Sequence, residues 1–167
     1  QGKYLHRPTA IAAAPARGRA AVDSDAAPAA ERELLQLLVW YPAELGQPAL
    51  HDAIDFVRHA GTRLALRDLV ALQRDHGVDL AAVARWALDH PDSQVRGQVL
   101  SWLAEQAPAP AGQAARQVAE LIDRIVTGSE IDRQMQSVAE QLRSAAPDAQ
   151  RALAARLFEL RRMRSRK

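Results

Sequence analysis

The sequence predicts an all-α protein: a compact bundle of short helices, then a long helix and a C-terminal helical hairpin. Three observations carry this. Alanine, the strongest helix former, fills 35 of the 167 positions, while aromatic residues, which favour strands, make up only 4%. Apolar residues recur at three- and four-residue steps from residue 31 onward. Pro, Gly and Asp punctuate those stretches where helices stop and start. The length suits one domain plus a tail and can bury a core without cross-links. There is no cysteine, which excludes disulfides, thiolate zinc sites and thiol catalysis.

Residues 1–30 read as a disordered linker, because Pro8, Pro15, Pro28 and Gly18 interrupt alanine runs that show no helical period. Gln1-Gly2 resembles the scar of a cleaved tag, and a linker at this end suggests that further chain precedes it. A bundle is expected over 31–110. Its first helix runs from Glu31 to Tyr41, with Leu34, Leu37, Leu38 and Tyr41 on one stripe, Glu31 suiting the dipole and Pro42 as the stop. A second follows Pro48, with Leu50, Ala53, Ile54 and Val57 inward and Gly61 as its end. Thr62 is expected to cap a third helix running to Gly77, Asp79 a fourth ending before Pro91, and Asp92 a fifth ended by Pro108 and Pro110.

The last unit is 111–167. A near-heptad pattern passes through Val118, Leu121 and Ile125, then Ile131, Met135, Val138 and Leu142. The step from Ile125 to Ile131 breaks the register, Gly128 lies inside the break, and Thr127–Glu130 fits a capping box. The expectation is one long helix kinked at Gly128, or two collinear ones. Pro147 opens a final helix with Leu153, Leu157 and Leu160 at hairpin-forming spacing. The short link before it forces an antiparallel return, and the hairpin is expected to project from the bundle.

Net charge is +2, but unevenly spread. Residues 1–19 carry four cations and no acid, and residues 148–167 carry seven cations against two acids. The body between holds 11 cations against 18 acids, a net −7. An acidic body with basic ends lacks the continuous basic face of a nucleic-acid binder. No apolar run approaches the ~18 residues of a membrane span, and no signal-peptide core follows Lys3 and Arg7, so a cytoplasmic location is expected.

Few side chains suggest chemistry. His51, Asp55 and His59 share one face of the second helix at four-residue steps, a spacing that can hold zinc, but that face lies opposite the apolar stripe and reads as solvated. His76 and His90 sit at helix ends, where the dipole favours them. No glycine motif cradles a phosphate and no serine sits in a nucleophile elbow. Trp40, Trp86 and Trp102 read as packing residues. No cofactor, metal or catalytic group is expected.

The linker followed by Glu31-Arg32-Glu33-Leu34-Leu35-Gln36-Leu37-Leu38-Val39-Trp40-Tyr41-Pro42-Ala43-Glu44-Leu45 resembles the start of the C-terminal helicase-binding domain of bacterial replicative DNA primase. That family continues with a bundle, a long connecting helix and a terminal two-helix hairpin, so the resemblance covers roughly 31–167. It implies a non-catalytic domain that docks the primase on the hexameric replicative helicase; alone, the chain is expected to be a monomer or a weak or domain-swapped dimer. The zinc module and nucleotidyltransferase core of that DNA-directed RNA polymerase are not in this chain. The resemblance implies a helix-surface interface on the hairpin. From position, the contact residues are expected at Arg133, Gln134, Gln141, Arg156, Arg161 and Arg162. Three alternatives remain. The N-terminal domain of the replicative helicase has a similar fold. A HEAT-like scaffold is suggested by Asp89–Arg96 followed by Val99 and Leu103, without a second copy at a period of about 40. A nucleic-acid-binding tail would rest on 161–167 alone.

Overall fold

The structure is a computed structural model that describes residues 26–166. It is all-α, with no strand among the described residues. The linker expectation for 1–25, with the suggested tag scar, lies outside the described residues. Residues 29 and 30, also expected in the linker, already belong to the first helix. This helix, α1 (Ala29–Trp40), buries Leu34, Leu35, Leu37, Leu38 and Val39. Burial on nearly every side makes it the axis of the bundle. Pro42 cannot extend the helix and opens a 3-10 turn, Pro42–Gly46. The Tyr41 hydroxyl donates to the Ala109 carbonyl and holds the 105–110 link against this corner.

The second helix is shorter than the sequence suggests. α2 covers Pro48–Ala53, a 3-10 turn follows at Ile54–Phe56, and the chain is extended at Val57 and His59. The cause lies outside this segment. Glu31, only 3% exposed, accepts hydrogen bonds from the backbone N–H groups of Arg58 (2.9 Å) and His59 (3.0 Å). Those donors are thereby taken out of any continuing helix. Helix α3 (Ala60–His76) consequently starts ahead of Gly61, which stops nothing. Its cap is His59, whose Nδ1 accepts from the Thr62 N–H at 3.1 Å, and Thr62 is the capped residue rather than the cap.

Three further caps, at Gly77, Asp79 and Asp92, fall where the sequence puts them, whereas the fifth helix ends at Ala104, ahead of Pro108, and Thr127 caps no helix. Gly77 closes α3 with φ +65°, a left-handed conformation that suits glycine. The Asp79 carboxylate accepts from the Ala82 N–H (2.7 Å) to open α4 (Leu80–Asp89). The Asp92 carboxylate accepts from Gln94 (2.8 Å) and Val95 (3.2 Å) to open α5 (Ser93–Ala104).

Helix α6 (Ala111–Ser144) runs 34 residues without interruption, about 50 Å at the standard rise. Gly128 does not divide it. Ala114, Val118, Leu121, Ile122 and Ile125 are buried, and the last four join the bundle's core. The six-residue step to Ile131 turns the apolar stripe by about 120° around the helix axis. Thus one helix serves the bundle with its first half and a new partner with its second. That partner is α7 (Pro147–Ser165), which returns after a two-residue extended link, Ala145-Ala146. Pro147 and the extended residue before it bar a continuous α6–α7 helix. Leu160 is fully buried against α6, whereas Leu153 and Leu157 are half-buried, so the hairpin is closed at its base more than along its length.

Candidate functional site

The hairpin base is a polar junction assembled from residues far apart in the chain, with no local signature in the sequence. On α7, the Arg164 Nε donates to both carboxylate oxygens of Asp132 on α6, at 3.1 and 3.2 Å. Arg58, from the link between α2 and α3, forms an ion pair with the same carboxylate and reaches the Gly128 carbonyl at 3.4 Å. One carboxylate therefore joins the bundle, α6 and the end of α7. Burial, and then the adjacent Arg164 charge, hold the Arg58 guanidinium below its ordinary pKa, with Glu31 acting in the opposite sense. Gly128 matters here for space: a Cβ on it would lie 3.3 Å from Arg164 Nη1. The hairpin is tethered at this end.

The six expected contact residues fall on different faces. Arg133 is exposed but bound bidentately to Glu130 one turn earlier, at 2.9 Å for each bond. Gln134 is half-buried and donates to the same carboxylate at 2.9 Å. These bonds lower the Glu130 pKa, first through Arg133 and then Gln134, and raise that of Arg133. Gln134 also lines a cleft of about 530 Å³ with Ile131, Met163 and Arg166. Gln141 is exposed near the end of α6. Arg156 is exposed and pairs with Glu159 at 3.2 Å. Arg161 and Arg162 are exposed, and their guanidinium groups meet no carboxylate among the described residues.

A residue not anticipated from sequence organises this last region. Phe158 is 69% exposed, the most exposed large apolar side chain among the described residues. At 100° per residue, Arg151, Ala154, Ala155, Arg161 and Arg162 all fall within about 60° of it around α7, and all are exposed. The result is an alanine-floored face with one aromatic and three guanidinium groups, turned away from α6. The sequence signal for it is Phe158's position one residue off the leucine stripe.

Among the described histidines, His59 and His90 serve local structure at helix ends. His51 and Asp55 are exposed and His59 caps α3, so the regular helical face that would have aligned them does not exist. Among the described residues no group of three His, Asp or Glu is placed to hold a metal ion. His90 is 3% exposed and its Nδ1 accepts from the Asp92 N–H at 3.1 Å. Its Nε2 lies 3.7 Å from the Asp68 carboxylate without a hydrogen-bond partner. Beside it, α3 and α4 enclose a cleft of about 880 Å³ containing Leu72, Val78, Trp86 and Asp89. No described helix is long and apolar enough to cross a membrane. Comparison with protein-family models, curated proteins and solved structures returned no match.

Proposed function

We propose that this chain is a non-catalytic docking domain that attaches a bacterial DNA primase to its hexameric replicative helicase, through the outward face of α7. The observation that carries the reading is the exposed Phe158 among Arg151, Arg161 and Arg162 on a tethered hairpin. Aromatic and arginine side chains dominate the binding energy of protein interfaces. A hairpin fixed at its base presents them without much ordering cost on binding. The order of elements, bundle then long helix then returning helix, also accords with the resemblance noted in the sequence.

Gel filtration with light scattering, mixing the chain with the replicative helicase of the same organism, tests it. Co-elution is expected, and Phe158→Ala combined with Arg161→Glu should abolish it while the helical circular dichroism is retained. Deleting all of 111–167 is unsuitable, because α6 contributes Val118, Leu121, Ile122 and Ile125 to the core. Absence of a complex at micromolar concentration and low salt would overturn the reading.

A further inference from the structure

Two exposed features of this molecule are complementary to one another. The cleft between α3 and α4, about 880 Å³, has an apolar floor of Leu72, Val78 and Trp86. Its lining carries Asp68, Asp79 and Asp89 against one cation, Arg85. The outward face of α7 carries the reverse pattern: Phe158 is the apolar projection, and Arg151, Arg161 and Arg162 surround it. The contrast extends to the whole sequence, since residues 20–147 have a net charge of −7 and residues 148–167 of +5. Both features are open in the same molecule, so neither covers the other.

We propose that the α7 face of one copy docks in the α3–α4 cleft of a second copy, head to tail. Phe158 enters beside Trp86, an aromatic pairing that adds to the burial of its area. Arg161 and Arg162 meet the acidic rim, where Asp89 is exposed and Asp68 is partly so. The contact is heterologous, because the two surfaces differ. Each added copy leaves one face and one cleft free, so the assembly grows as a chain unless its geometry closes a ring. A single aromatic anchor with a charged rim makes a small interface, so association should be weak, transient and weakened by salt. The inference stands on charge and shape within this chain and does not rest on the helicase reading. It adds that self-association would occlude the face assigned to the helicase.

Sedimentation equilibrium of the chain alone, from micromolar to millimolar concentration, tests it. The mean mass should rise with concentration at low salt and fall back toward the monomer at high salt. Arg161→Glu with Arg162→Glu, and separately Asp89→Arg, should each weaken association at least tenfold, circular dichroism confirming the fold. Mixed together, these two variants should recover association, since one retains the cleft and the other the α7 face. A wild-type chain that stays monomeric throughout would overturn the proposal. So would undiminished association of either variant, or a mixture that fails to recover; association lost in the Arg161 and Arg162 variant but kept in Asp89→Arg would place the α7 face on another surface.

Discussion

Arg164 and Asp132 are 32 positions apart in the chain, yet the guanidinium Nε of one donates to both carboxylate oxygens of the other. Arg58 approaches the same carboxylate from the bundle. Asp132→Asn would leave two cations facing each other across a neutral amide. A loss of about 1–3 kcal/mol is expected, the range for hydrogen bonds to charged groups in a partly screened setting. Urea unfolding at two salt concentrations checks it. The loss should shrink at high salt, where the Arg58–Arg164 repulsion is screened. Adding Arg164→Met to Asp132→Asn should cost less than the two single losses together.

Glycine in a helix interior is costly relative to alanine, by about 0.5–1 kcal/mol. Gly97 in α5 has nothing within 4 Å of where a Cβ would stand, so Gly97→Ala should return about that amount as added stability. Gly128→Ala should not, because its Cβ would crowd Arg164 Nη1 at 3.3 Å and disturb the hold on Asp132. In an Arg164→Ala background the same change should recover the full gain. Thermal melts of the four variants decide it; equal gains at both glycines would refute the packing role of Gly128.

What the sequence made legible was local. Asp79, Asp92 and Gly77 act on groups within a few residues, so their chemistry and spacing suffice to place them. Glu31 was legible only as an acid in a first turn, because its real partners lie 27 and 28 positions away. Thr127 and Glu130 imitated a helix start, but each satisfies itself within an intact helix. Thr127 meets Asp123 at 3.4 Å, and Glu130 takes bonds from Arg133 and Gln134. Arg133 and Arg156 looked free in sequence and are engaged one turn away on their own helices. Phe158 was readable as an aromatic off the stripe, but its exposure depends on where α6 lies.

Leu160 is the buried contact of α7, with 0% exposure, whereas Leu157 is half-buried. Leu160→Ala should cost about 2–5 kcal/mol, and Leu157→Ala distinctly less. Hydrogen exchange separates a local from a global effect. Loss of protection should concentrate in α7 and the second half of α6, leaving α1 near wild type.

The Glu130 carboxyl is held below its ordinary pKa, chiefly by the Arg133 hydrogen bonds. A depressed folded value stabilises the native state above the unfolded pKa and is lost as pH falls through the folded one. Titration by NMR should therefore place its midpoint below the usual carboxylate range. Arg133→Ala should move that midpoint upward, and Arg156→Ala should leave it unchanged.

Glu31 supplies the last and most specific expectation. Its carboxylate is nearly inaccessible and satisfies two backbone donors, so it fixes where α2 ends and α3 begins. Glu31→Gln keeps one good acceptor oxygen and leaves one buried N–H without a partner. The expected cost is about 1–3 kcal/mol. Its signature should be local: the amides of Arg58 and His59 should exchange faster, and Thr62, whose N–H is bound to the His59 ring, should follow. Arg58 also carries the bundle's side of the Asp132 junction, so loosening this link should weaken protection at the end of α7. Unchanged exchange at Arg58 and His59 would show that the 57–59 segment is held by something other than Glu31.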